Sequence, residues 1–123
     1  MTTDTTEPLL FVCSHAGEAP ERATVPFIAA ATAAVSGRKA IVVCTIEGVH
    51  NGTPAHRDVQ AEGTPALADL VTTLLDNDGE IWLCSACTTA RGMTGDDIIE
   101  GAQIVGAAAI VDALASGRAI TLA

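Results

Sequence analysis

Two cysteines in the second half of the chain, Cys84 and Cys87, are the residues best placed to do chemistry. They form a Cys-x-x-Cys pattern where a short apolar stretch gives way to small polar residues, and Arg91 follows within about two helical turns. Backbone N–H groups at a strand end and a nearby guanidinium both stabilise a thiolate. Because the thiolate is the reactive form of cysteine, the pattern predicts a sulfur nucleophile.

The same pattern is also compatible with a thiol redox pair or half of a zinc site. A thioredoxin-type motif would be expected after the first strand, whereas this pair lies late in the chain. Zinc needs four ligands, and the sequence has no second Cys-x-x-Cys, so the zinc alternative is a mixed site from Cys84, Cys87, Cys13 and His15. Arg91 is equally compatible with a solvated surface charge.

Two further cysteines, Cys13 and Cys44, end apolar runs that read as strands. In a parallel sheet they would share one carboxyl edge with Cys84, the edge at which α/β proteins bind ligands. Cysteine is also among the most buried residue types, and burial in the core is the favoured explanation of both residues. His15 and His50 follow strand ends and are candidate proton carriers, or else exposed loop histidines.

Strand patterns alternate with helix patterns along the chain. Strands are predicted at residues 9–13, 39–45, 81–84, 102–105 and 118–122. Helices are predicted at about 23–35, 65–77 and 94–100, and between Gly106 and Gly117. The second of these is expected to have Thr64 as its N-cap and Pro65 as its first residue. The first helix is expected to begin no earlier than residue 23, so that Pro26 falls in its first turn.

This alternation predicts an α/β fold, a three-layer α/β/α sandwich with a mainly parallel sheet of about five strands. Residues 1–8 are expected to form a disordered or extended tail, and residues 9–123 a single domain. The segment 47–63 has three glycines, two histidines and no clear period, which is typical of a functional loop or lid.

The composition excludes several classes of function. The sequence has fifteen acidic residues and only six basic ones, which gives a formal net charge of -9, and aromatic residues make up 2% of the chain. Phosphate backbones and anionic membranes would be repelled, and platforms for base stacking are lacking. The sequence shows neither a secretory signal nor an apolar run near the roughly 20 residues that span a bilayer. We therefore expect a cytoplasmic protein that binds neither nucleic acid nor membranes.

The segment around the cysteine pair also resembles a known family. It reads Cys84-Ser-Ala-Cys87-Thr-Thr-Ala-Arg91-Gly92, and is followed by Asp97-Ile-Ile-Glu-Gly101 and Gly106-Ala-Ala. In this order and spacing it resembles the DsrE/DsrF-like sulfur-relay family. Val25-Pro26-Phe27-Ile28-Ala29-Ala30 resembles the family's first helix and Glu47-Gly48-Val49 its turn after the second strand. The resemblance covers residues 9–122.

The resemblance implies a small cytoplasmic sulfurtransferase subunit that takes up sulfane sulfur as a persulfide and passes it on. Its sulfur-accepting cysteine matches Cys84, whereas Cys87 is a second thiol found only in some relatives. The implied partners are a sulfur donor protein, an acceptor protein and further copies of the chain, as a trimer or hexamer. The chemistry requires no cofactor and no metal. The alternatives are a thiol redox or metal-binding module using Cys84 and Cys87, and a non-catalytic oligomer.

Overall fold

A computed structural model describes residues 7–122 of the chain. Its five strands form one fully parallel sheet in the order β4-β3-β2-β1-β5. They are β1 (Leu9–Cys13), β2 (Ala40–Cys44), β3 (Glu80–Cys84), β4 (Ala102–Val105) and β5 (Arg118–Ile120). The helices are α1 (Pro20–Val35), α2 (Leu67–Asp76), α3 (Ser85–Ala90) and α4 (Ala107–Ser116). The predicted α/β sandwich with a parallel sheet is confirmed.

The two faces of the sheet are covered unequally. The connections through α1 and α2 step along the sheet in one direction, from β1 to β2 to β3, whereas the connection through α4 runs back across it to β5. Right-handed crossovers therefore require α4 to lie on the opposite face from α1 and α2. The larger core lies under α1 and α2 and includes Phe11, Phe27 and Leu74. The smaller core, under α4, consists of Leu10, Ile41 and Val43.

The first helix begins three residues earlier than expected. Pro20 occupies its first turn, and Pro26 lies inside the helix rather than near its start. Proline in a helix interior removes one hydrogen bond, here the one to the carbonyl of Arg22, and Arg22 is an exposed residue whose carbonyl can be hydrated. The restriction that we placed on the start of this helix was therefore wrong.

The second helix begins at Leu67, with Ala66 as its N-cap, so the predicted Thr64 cap is wrong. The Thr64 hydroxyl instead donates to the Ala61 carbonyl at 2.9 Å and closes the preceding turn. The helix starts two residues later than predicted, so Thr64 is not at the N-cap position, and the N–H of Leu67 donates to the Val59 carbonyl at 3.2 Å.

Two segments differ from their predicted form. The predicted loop 47–63 is largely taken up by two 3-10 helices, Ile46–Gly52, which begins one residue before it, and Pro54–Asp58, and these helices bury Val49 and His56. The predicted helix at 94–100 is a single 3-10 turn, Gly95–Asp97, which begins with the expected capping box between Thr94 and Asp97. The first six residues of the predicted tail lie outside the described residues. In the described range 7–122, no helix has the length and apolar character to cross a bilayer.

Candidate functional site

All three strand-end cysteines lie at the carboxyl edge of the sheet, but they do not share a face. Cys13 lies opposite Cys44, because β1 and β2 end in register. On β3 the residue opposite Cys44 is Leu83, so Cys84 is one position further along. Successive strand side chains point to opposite faces, and Cys84 therefore points away from the face of Cys13 and Cys44.

Cys13 and Cys44 belong to the core. They are 1% and 0% exposed. Burial raises the pKa of the Cys13 thiol from 9.0 to about 11, although hydrogen bonds to His15 and Asn51 act in the opposite direction. Burial also raises the pKa of Cys44 well above its usual value. Both side chains are neutral thiols at physiological pH and are poor nucleophiles.

Cys84 has a different environment at the junction of β3 and α3. It is a partly exposed free cysteine and is the N-cap residue of α3. Burial raises the pKa of its thiol, but the N–H and thiol of Cys87 and the N–H of Ala86 lower it, and the net shift is downward. No side-chain cap hydrogen bond of normal geometry forms at Cys84, so these donors favour the thiolate through weaker contacts.

Cys87 is the third residue of α3 and is also a partly exposed free cysteine. Its side chain packs in part against the larger core. Among residues 7–122, no three His, Cys, Asp or Glu side chains are grouped so that they could hold a metal ion. The mixed zinc site considered from Cys84, Cys87, Cys13 and His15 is therefore not assembled.

Arg91 lies directly after α3 and joins this helix to the loop that follows β2. Its Nε and Nη2 groups donate to Oε1 of Glu47 at 3.0 and 2.8 Å, and its Nη1 group donates to the Cys87 carbonyl at 3.2 Å. The guanidinium is thus paired with a carboxylate and attached to the backbone of Cys87. The arrangement suits it to fix the position of Cys87 more than to supply free positive charge to Cys84.

The loop after β2 is seated directly on the end of β1. A Cβ atom at Gly48 would lie 2.1 Å from the carbonyl oxygen of Cys13, so only glycine permits this approach. The backbone N–H of Thr45 also donates to the same carbonyl at 3.0 Å. This close approach fixes the loop that carries Glu47.

The two candidate histidines interact with carboxylates rather than with the cysteine pair. His15 Nδ1 lies 2.8 Å from Oε2 of Glu18, and His50 Nε2 lies 3.6 Å from Oε2 of Glu47. His50, Glu18 and Glu47 line a cavity of about 310 Å³ beside the ends of β1 and β2. Within the described chain, neither Cys84 nor Cys87 lines this cavity.

Sequence reasoning missed two residues that organise this edge. One is Glu47, which was quoted only as part of a turn and is the partner of Arg91. The other is the fully buried Asn51, whose side-chain N–H₂ donates to the His15 carbonyl at 2.8 Å and contacts the Cys13 sulfur at 3.5 Å. These three contacts all join residues more than 30 positions apart, and no local pattern in the sequence signals them.

The fold, the strand-end cysteine and its Arg-Gly sequence can be compared with known proteins. A family model for the DsrE/DsrF-like family matches residues 8–122. The chain belongs to the DsrE/DsrF-like family. One relative of this DsrE/DsrF-like protein is MK0008 of Methanopyrus kandleri, described as uncharacterised, which is 28% identical over 93 residues. That alignment covers 76% of this chain and 74% of MK0008.

Two solved structures share the fold of this DsrE/DsrF-like protein. The ychN protein from E. coli has a TM-score of 0.78 at 17% identity, covering 95% of this chain and 100% of its own. MTH1491 from Methanobacterium thermoautotrophicum, described as a protein of unknown function, has a TM-score of 0.68 at 22% identity, covering 94% of this chain and 99% of its own. At these identities the likeness supports the fold alone.

Proposed function

We propose that this protein is a cytoplasmic sulfur carrier that accepts sulfane sulfur as a persulfide on Cys84 and passes it to a partner. The observation that carries the proposal is the contrast among the strand-end thiols. Cys84 is partly exposed and has a lowered pKa, whereas Cys13 and Cys44 are buried and have raised pKa values. Membership of the DsrE/DsrF-like family supports it, since that family is known broadly for sulfur relay.

The transfer consists of two displacement steps at sulfur. The Cys84 thiolate attacks the outer sulfur of a donor persulfide, forms a new S–S bond and expels the donor thiolate. An acceptor thiolate then attacks the outer sulfur of the Cys84 persulfide, takes that sulfur and releases Cys84 as a thiolate. The sulfane sulfur keeps its oxidation state in both steps. The reaction therefore needs no external oxidant or reductant.

The position of Cys84 also supports access by two different partners. Alternation along β3 puts it on the face of the partly exposed Trp82, away from the larger core under α1 and α2. A thiol on this face can be approached without opening that core. The donor and the acceptor would bind to this face one after the other. The donor presents its outer sulfur to Cys84, and the acceptor later attacks that same sulfur on Cys84.

Intact-protein mass spectrometry after incubation with glutathione persulfide tests the proposal. The Cys87→Ser variant is used, so that one partly exposed cysteine remains, and it should gain one sulfur atom, about 32 Da. The adduct should map to Cys84 and be absent when Cys84→Ser is added. Thr89→Ser, an exposed position on the same helix, is the matched control and should load as the wild type does. Absence of the adduct, or its persistence without Cys84, would refute the carrier function.

We also propose that the carrier is a homo-oligomer. In the described range, α4 has no fully buried residue, and its Val111 is 64% exposed. Ile46, on the loop after β2, is 55% exposed. Ala108, Val111 and Ala115 are all exposed and lie at i, i+3 and i+7 on one face of α4, and a contiguous exposed apolar face is typical of a contact surface between protein chains. Light scattering at micromolar concentration should give a mass above that of one chain, and Val111→Asp should lower it. A wild-type monomer would contradict the proposal.

A further inference from the structure

Cys87 is a thiol that the carrier reaction leaves unused. It is the third residue of α3, and Cys84 is the N-cap of the same helix. The N–H and the thiol of Cys87 both act on the Cys84 sulfur, so the two thiol groups are neighbours at the start of α3, and a disulfide between them needs Cβ atoms about 3.5–4.5 Å apart. Cys84 is the N-cap residue, with non-helical backbone angles, so the helical repeat does not fix its position relative to Cys87.

The surroundings of Cys87 hold it in this place without blocking it. Its carbonyl accepts a hydrogen bond from Arg91 at 3.2 Å, and Arg91 is itself fixed by Glu47. The Cys87 side chain remains partly exposed and is a free thiol. A thiol anchored by its backbone and free at its sulfur is arranged to react with the neighbouring sulfur.

We infer that Cys87 resolves the persulfide on Cys84, so that the protein releases sulfide as well as carrying sulfur. This activity rests on the proposed function, since it requires a persulfide on Cys84. It makes the chain a persulfide reductase that turns over once and then needs a dithiol reductant. Bound sulfane sulfur thus has two fates, transfer to an acceptor thiol or release as hydrosulfide.

The reaction balances without any other reactant. The Cys87 thiolate attacks the inner sulfur of the persulfide, which is the sulfur of Cys84, and an S–S bond forms between the two cysteines. The bond between Cys84 and the sulfane sulfur breaks, and the electron pair leaves with hydrosulfide. The sulfane sulfur is reduced, and the two cysteine sulfurs are oxidised to the disulfide. Hydrogen sulfide is a stronger acid than an alkyl thiol, so hydrosulfide leaves more readily than a thiolate.

The experiment follows protein loaded with glutathione persulfide and then freed from the donor by rapid desalting without added thiol. In the wild type the adduct of about 32 Da should disappear while a species about 2 Da lighter than the reduced protein forms, with one equivalent of sulfide. In Cys87→Ser the adduct should last at least about tenfold longer, because the intramolecular attack is lost. A dithiol should then restore the reduced mass of the wild type. Thr89→Ser should behave as the wild type.

Each other outcome has a distinct meaning. If Cys87→Ser and the wild type lose the adduct at equal rates, or if the extra sulfur maps to Cys87 instead of leaving, the release activity is refuted and the carrier function stands. If neither variant gains the adduct, the carrier function fails, and the release activity fails with it. Cys87→Ser is a conservative change at a partly exposed position, and its circular dichroism spectrum should match that of the wild type.

Discussion

Replacing Gly48 by alanine should destabilise the protein by about 2–4 kcal/mol. The new Cβ would lie 2.1 Å from the Cys13 carbonyl oxygen and 2.9 Å from its carbonyl carbon, and both are backbone atoms that cannot rotate away. A normal contact is about 3.5 Å, so the loop must move by more than about 1 Å. Overpacking of this kind costs about 1–3 kcal/mol, and loss of the Thr45 hydrogen bond to the same carbonyl adds about 1 kcal/mol.

The measurement is urea unfolding followed by far-ultraviolet circular dichroism. The matched control is Gly17→Ala, because no atom lies within 4 Å of its added Cβ, and its free energy of unfolding should change by less than about 0.5 kcal/mol. Gly48 directly follows Glu47, so a displaced loop also disturbs the Arg91 contact, and Cys87-dependent sulfide release should slow. Equal stability of the two variants would refute the argument that the loop is seated on β1.

Three further predictions concern the reactive edge of the sheet. Iodoacetamide should label Cys84 in the native protein with a pH midpoint below 9.0. At neutral pH it should label Cys13 on the order of 100-fold more slowly than an ordinary thiol. Rapid labelling of Cys13 in the native protein, seen in peptide maps, would contradict this. Folding raises the pKa of Cys13 from 9.0 to about 11, so its contribution to stability is complete below pH 9 and is lost as the pH rises to 11. The free energy of unfolding, measured in urea, should therefore fall between pH 9 and 11, and this fall should be about 2–3 kcal/mol smaller in Cys13→Ala than in the wild type. Parallel pH profiles of the two proteins would rule out this contribution of Cys13. Arg91→Lys should lower the free energy of unfolding by less than about 1 kcal/mol, because the ion pair with Glu47 is partly exposed. It should also slow sulfide release, because a single ammonium cannot make all three contacts of the guanidinium. Unchanged release would show that Arg91 does not position Cys87.

Apolar runs and glycine stops predicted the strands well. The run Leu9–Cys13 has the predicted bounds, because a short unbroken apolar run is typical of a strand covered on both faces. Helix starts were predicted less well, since Thr64 is a good N-cap by type and yet α2 begins at Leu67 with Ala66 as its N-cap. The start of α2 depends on the packing of the segment before it, where the N–H of Leu67 donates to the carbonyl of Val59, and the local sequence does not encode that contact.

The candidate site was predicted in part. Cys84, Cys87 and Arg91 were found because they are close in sequence and differ in type from their surroundings. Their roles remain predictions until they are tested. Glu47, 44 positions before Arg91, was missed as its partner, because such a pairing follows from which strands are neighbours and which loops meet at their ends.

The alternation of strands and helices follows from local patterns of residues, and the same patterns put three cysteines at strand ends and hence at one edge of a parallel sheet. The face of the sheet that each cysteine occupies depends instead on how the strands pair in the folded protein. Pairing aligns Cys44 with Cys13 but with Leu83 rather than with Cys84. Strand side chains alternate with a period of two, so this single offset buries two of the thiols in the core and leaves Cys84 on the opposite face. Register arises from packing between strands distant in sequence, and no local pattern fixes it.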